Sequence, residues 1–278
     1  MTHHTTHCPR RTALQTVTGA VVGCLAGCLS TNDTSAPPSG AGPIEDVGVE
    51  GTELVVKHTT ADNVDQLNLI QPNGELFAQR TVAAGSQQAS FSIGTAYDPG
   101  EYTVVALRGE ERVDETTLSI EPDLEITEMG IGRNQPRKMW NDGGDKTSDE
   151  AFVTVENRGS GPESITKLLF TGDVPYPSDE DGTNYAMDED VSGIYNPSTG
   201  SEADSLTITA DEQLTLYSSR SPFAFVPGAG TSCADDRQSG EFLLSIKTRV
   251  GRDTISKTYS IQYSAATEQN KCQITIGE

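Results

Sequence analysis

The sequence predicts an all-β protein made of two β-sandwich domains, and three observations carry that prediction. Apolar residues alternate with polar ones in runs of five to ten residues, clusters of turn residues separate those runs, and no stretch repeats with a helical period. In QLNLIQ (66–71) Leu67 and Leu69 alternate with Asn68 and Ile70, and in ASFSI (89–93) Ala89, Phe91 and Ile93 alternate with serines. Period two gives a strand one buried and one wet face. At 278 residues the chain has room for about two domains.

The elements begin with a leader. Between Arg11 and Asp33 no residue is charged. A spanning helix needs about 20 predominantly apolar residues. This run is diluted by Thr12, Gln15, Thr16, Thr18, Gly19, Gly23 and Gly27, and its apolar centre, Val17 to Leu29, suits a signal peptide better. Arg10-Arg11-Thr12-Ala13-Leu14 resembles the twin-arginine export signal, and Leu25-Ala26-Gly27-Cys28 resembles a lipobox. In lipobox proteins the cysteine thiol takes a diacylglyceryl group and the chain is cut just before it. The resemblance implies that residues 1–27 leave as a signal peptide. It also implies that Cys28 anchors the protein in the lipid bilayer, on the extracellular side of the cell membrane. Val21-Val22-Gly23-Cys24 fits the pattern more loosely, and an uncleaved anchor helix would tether the same domains on the same side. His3, His4, His7 and Cys8 precede the arginines and would leave with the leader.

Residues 28–44 read as a lipidated cysteine followed by a flexible stalk rich in Ser, Thr, Pro and Gly, with a glycosylation sequon at Asn32. The first sandwich is expected over 45–121, with strands at 53–58, 66–71, 76–81, 89–93, 101–108 and 112–120, and a turn at Pro72-Asn73-Gly74. DPGEYTVVAL (98–107) resembles the penultimate strand of immunoglobulin-like modules, where a tyrosine hydroxyl bonds back to the chain; Tyr102 would fill that role. Glu121-Pro122 reads as the connection to a second sandwich over 122–278. Its strands are expected at 124–132, 151–157, 164–172, 205–209, 212–218, 241–250, 253–263 and 272–276. AFVTVENRGSGPESITKLLF (151–170) resembles the cell-adhesion-related repeats of bacterial and archaeal surface proteins, in which Asn157 and Gly159 to Pro162 would turn one strand into the next. With Cys28 lipidated, Cys233 and Cys272 remain as one pair. In an exported domain a disulfide closing a 39-residue loop is expected, stabilising by about 4 kcal/mol, with two free buried thiols as the alternative.

Composition limits the partners. Acidic residues number 41 against 19 Lys and Arg, a net charge of −22, which repels nucleic acid. Lysine occurs only seven times, and such a surface resembles that of salt-loving archaeal proteins, in which concentrated salt screens the repulsion between carboxylates. With the leader motifs, the chain is similar to haloarchaeal twin-arginine lipoproteins.

Chemistry is sparse. After the leader His58 is the only histidine, and no Gly-x-Ser-x-Gly elbow, phosphate loop or dinucleotide fingerprint accompanies it. No cofactor is expected. Asp179, Asp181, Asp188 and Asp190 are calcium candidates by residue type alone, since the EF-hand spacing fails at Thr183. The most distinctive stretch, IGRNQPRKMWNDGG (131–144), sets Arg133, Arg137 and Lys138 beside the sole tryptophan, Trp140. Two readings stand: a patch for a glycan, an anionic group or a surface protein, or a loop whose tryptophan covers the seam between the domains. The functional expectation is a non-enzymatic binding or structural module of the envelope. An accessory subunit of a membrane complex is the alternative, and an extracellular hydrolase is the least supported class.

Overall fold

The computed structural model describes residues 42–60, 63–140, 147–181, 184–226, 238–252, 254–265 and 272–277. The expectations at Arg10, Arg11, Cys24, Leu25, Ala26, Gly27, Cys28, Asn32 and Cys233 lie outside the described residues.

The first sandwich opposes two antiparallel sheets. One is β1 (Ile44–Glu50), β2 (Glu53–His58) and β5 (Gln88–Ser92), in the order β1-β2-β5. The other is built from β3 (Gln66–Ile70), β4 (Leu76–Thr81), β6 (Gly100–Arg108) and β7 (Glu111–Ile120), in the order β4-β3-β6-β7. First, second and fifth strands facing the remaining four is an immunoglobulin-like layout. The alternation read in the sequence builds the core: Leu54, Val56 and Phe91 meet Leu67, Leu69, Tyr102 and Val104. The Tyr102 hydroxyl donates to the carbonyl of Asp98 at 2.9 Å, the corner expected from DPGEY. Strand β1 carries no clean alternation, because Glu45, Asp46 and Glu50 break it, and the sequence reading missed it.

The second sandwich is larger. One sheet contains β8 (Leu124–Ile131), β9 (Ala151–Asn157), β11 (Ile194–Asn196), β12 (Ser201–Glu202) and β14 (Gln213–Ser218), in the order β12-β11-β14-β9-β8. The other contains β10 (Glu163–Gly172), β13 (Leu206–Ile208), β15 (Gln238–Thr248), β16 (Thr254–Ala265) and β17 (Cys272–Gly277), in the order β13-β10-β15-β16-β17. Their inner faces bury Val153, Val155, Leu216, Phe170, Leu244 and Ile261 in one cluster. A short 3-10 turn, Pro136–Lys138, follows β8. No helix among the described residues is long and apolar enough to cross a membrane.

The joint between the sandwiches is built, not loose. Asn157 is fully buried; its Oδ1 accepts the N–H of Asp123 and of Gly159, while its Nδ2 donates to the carbonyls of Gly161 and Thr209. Gly159 packs so tightly on the Glu121–Asp123 backbone that any side chain would collide with it. Ser160 donates to the Ser119 carbonyl at 2.8 Å and accepts the Glu121 N–H at 3.1 Å. The Tyr97 hydroxyl donates to the Pro162 carbonyl at 3.0 Å. From the turn between β15 and β16, Val250 enters the core of the first sandwich, 3% exposed.

Candidate functional site

The 131–140 loop and the outer face of the β8-containing sheet form the most developed surface feature, and the structure takes apart the cation patch expected there. Arg133 does not face solvent as a binding group. Its Nη1 donates to the Cys272 carbonyl at 2.8 Å and its Nη2 to the Phe223 carbonyl at 3.1 Å, and the guanidinium pairs with the Asp149 carboxylate. Burial lowers its pKa below the ordinary guanidinium value. Asn134 donates through Nδ2 to the Ile274 carbonyl at 2.9 Å, so two side chains from this loop hold the outer edge of β17.

Lys138 pairs with Glu128 and lies 5.4 Å from the centre of the Phe152 ring, while Arg137 is exposed. Trp140 stacks on Tyr195 with ring centres 4.3 Å apart and meets Tyr217 edge-on at 5.0 Å. Tyr195 and Tyr217 belong to β11 and β14 of the second sandwich. The tryptophan therefore covers that sheet and not the seam, which corrects the alternative reading of this loop. Among the described residues no cation lies over Trp140.

Strand register explains the surface beneath the loop. In AFVTVEN, Val153 and Val155 point to the core, so Phe152 and Thr154 point outward. Phe152 opposes Tyr217, and Thr154 opposes Thr215. Across β9 the same two residues oppose Gly130 and Glu128. A groove of about 540 Å³ results. Phe152 and Thr154 form its floor, Gln213 and Thr215 one wall, and Thr127, Glu128 and Lys138 the other. The sequence reading missed Thr154, Thr215, Gln213, Tyr195 and Tyr217. The available signal was the outward register of EQLTLYS, which sets an amide, a hydroxyl and a phenol at positions 213, 215 and 217.

The calcium candidates behave otherwise. Asp179, Asp181, Asp188 and Asp190 are all exposed, and among the described residues no three His, Cys, Asp or Glu side chains are placed to hold a metal ion. The loop carrying them is fastened by an ammonium group. Lys167, 7% exposed on β10, donates from Nζ to the Tyr185 carbonyl at 3.2 Å and to the Asp188 carbonyl. Desolvation is the first cause lowering its pKa. Tyr185 completes the fastening, its hydroxyl 2.6 Å from Ser178 Oγ, and burial pushes that phenol up to about 12.

His58 is 1% exposed at the end of β2; its Nδ1 lies 3.3 Å from the Thr59 carbonyl and its Nε2 has no partner. Neither ring nitrogen contacts a hydroxyl or thiol among the described residues. Cys272 is buried at the start of β17.

The strand order defines the class: a tandem of immunoglobulin-like β-sandwiches. No family model matches the chain, and no curated protein matches it either. Among solved structures, a two-domain fibronectin type-III segment of chicken tenascin shares 15% identity over 78% of this chain and 98% of its own, with a TM-score of 0.27. A glycosyl hydrolase family 2 member from Bacteroides cellulosilyticus shares 16% identity at a TM-score of 0.23; the match covers 76% of this chain and only 24% of that enzyme. The human OSCAR ligand-binding domain shares 10% identity over 83% of this chain and 88% of its own, with a TM-score of 0.20.

Proposed function

We propose that this protein is a non-enzymatic module of the cell envelope, exported by the twin-arginine route and anchored in the bilayer through Cys28. Its two sandwiches stand outside the membrane as one stiff arm, in an organism with salt-rich surroundings. The observation that carries this reading is the joint: Val250 in the first core, and the Asn157 and Ser160 bonds around Glu121–Asp123, fix one sandwich on the other. An arm of fixed length, entered from a polar stalk, suits a part that displays a face at a set distance from its anchor. A Cys233–Cys272 disulfide belongs to the same proposal. The burial of Cys272 supports it.

Two measurements test the reading. Mass spectrometry of protein purified from membranes is expected to find a lipid-modified N-terminal peptide beginning at Cys28; an unmodified peptide running from Arg10 through Cys28 overturns the anchor. Crosslinking on intact cells in native salt is expected to capture envelope components. A single membrane protein captured in fixed ratio would instead make this an accessory subunit.

A further inference from the structure

We propose that the groove on the outer face of the second sandwich binds a neutral glycan chain. The proposal deepens the envelope-module reading by naming a ligand class, and rests on it for where such chains are met.

Three observations carry it. First, the groove has free hydrogen-bonding capacity of both signs. The side chains of Thr154, Thr215 and Gln213 line it and make no hydrogen bond to other described residues, although each stands beside neighbours that do. Two hydroxyls and an amide offer donors and acceptors together, which matches a ligand whose every hydroxyl needs both.

Second, the charges within the groove are already spent. Lys138 and Glu128 pair with each other across one rim, and the whole chain carries −22. An anionic ligand would meet a repulsive field with no unpaired lysine to receive it, and a cation would have to break an existing pair. An uncharged ligand meets neither cost.

Third, flat rings stand where a sugar's C–H faces could lie. The half-buried Trp140–Tyr195–Tyr217 cluster continues the groove's face one residue pair along the ladder, whereas Phe152 in the floor is fully buried beneath Lys138. Aromatic surface with a few convergent polar groups is the usual make-up of small-ligand sites. A protein partner fits less well, because interface centres are apolar. Here the exposed large apolar side chains Leu76, Met187, Val226 and Leu243 all lie outside the groove lining.

Trp140 is the sole tryptophan, so its emission reports the face directly. The test titrates the full chain in detergent with cellohexaose, maltohexaose and mannohexaose, following Trp140 emission and heat. At least one is expected to bind saturably, with affinity changed less than about twofold between about 0.2 and 2 M salt, since screening acts only on charge. Gln213→Ala with Thr215→Val is expected to weaken binding at least tenfold, near-UV dichroism reporting that the fold is kept; should the pair misfold, Gln213→Ala alone, at an exposed position, gives the same reading. The proposal is overturned if none of the three binds, if only dextran sulfate binds and salt abolishes it, or if the double variant binds as tightly as the parent. Each of those results leaves the envelope-module reading standing, because that is decided by the N-terminal peptide and by crosslinking on cells.

Discussion

The carboxylate of Glu163 accepts the backbone N–H of Val250 at 2.8 Å through Oε1, and the residues on either side join in: Arg249 N–H reaches Oε1 at 3.1 Å and Gly251 N–H reaches Oε2 at 2.8 Å. Glu163 is 1% exposed, and besides these three amides of one turn its Oε1 accepts the Ser164 N–H at 2.6 Å. That grip aims Val250 out of the second sandwich and into the first.

Glu163→Ala is therefore expected to release the turn and uncouple the sandwiches. Scanning calorimetry should show one transition for the parent and two for the variant. Val250→Ala should cost about 2 kcal/mol, two buried carbon groups plus the space they leave. A neutral Val250→Ala, with calorimetry unchanged in both variants, would falsify the stiff joint.

Tyr102→Phe keeps the ring in the core and removes only the bond to the Asp98 carbonyl. The expected loss is about 1 kcal/mol, the net worth of one such bond. Denaturant midpoints at unchanged m-value measure it, and a variant as stable as the parent would show that the corner contributes nothing.

Glu150 gives a pH signature. Its Oε2 is buried without a partner, and desolvation raises its pKa from 4.5 to about 7. A raised acid favours the folded state while protonated. The contribution is full below about pH 4.5 and is lost as pH rises through 7. Glu150→Gln should leave stability unchanged at pH 4 and raise it at pH 8 by about 1–2 kcal/mol, a sum reduced because the side chain is only half buried. The difference between the two pH–stability curves is the measurement; a flat difference refutes the assignment.

Arg133→Lys should be nearly as damaging as Arg133→Ala, since a point charge cannot serve the Cys272 and Phe223 carbonyls together. A loss of about 2–3 kcal/mol is expected from charged hydrogen bonds of about 1.5–3 kcal/mol. It should be concentrated in faster amide exchange along β17. Full rescue by lysine would mean that charge, not the fork, holds the strand.

Most of the fold could be read from the chain because period-two alternation is a local signal. ELVVKH, LFAQRT and AFVTVEN fall at their expected bounds. What escaped was short or masked by charge: β1 with its acids, and the β11–β12 hairpin of three and two residues. The site was legible only in its loop. Arg133 and Trp140 stood out by residue type, yet their roles depended on partners far off in sequence, Cys272 in one case and Tyr195 with Tyr217 in the other. Thr154 and Thr215 are ordinary strand residues until register sets them side by side. The acidic stretch was opaque for a related reason: nothing local to Tyr185–Asp188 shows that Lys167, on β10, holds the carbonyls of both residues.

The entry of the chain into the first sandwich has a mechanical consequence. Ile44 donates its N–H to Asp114 on β7 at 2.9 Å, Thr59 donates to the Pro43 carbonyl at 2.8 Å, and β1 then runs antiparallel along β2. A pull on residue 43 against the second sandwich acts along β1, so its ladder is loaded in shear, with many bonds sharing the force, and does not unzip one rung at a time. Under tension the first sandwich would yield late and abruptly.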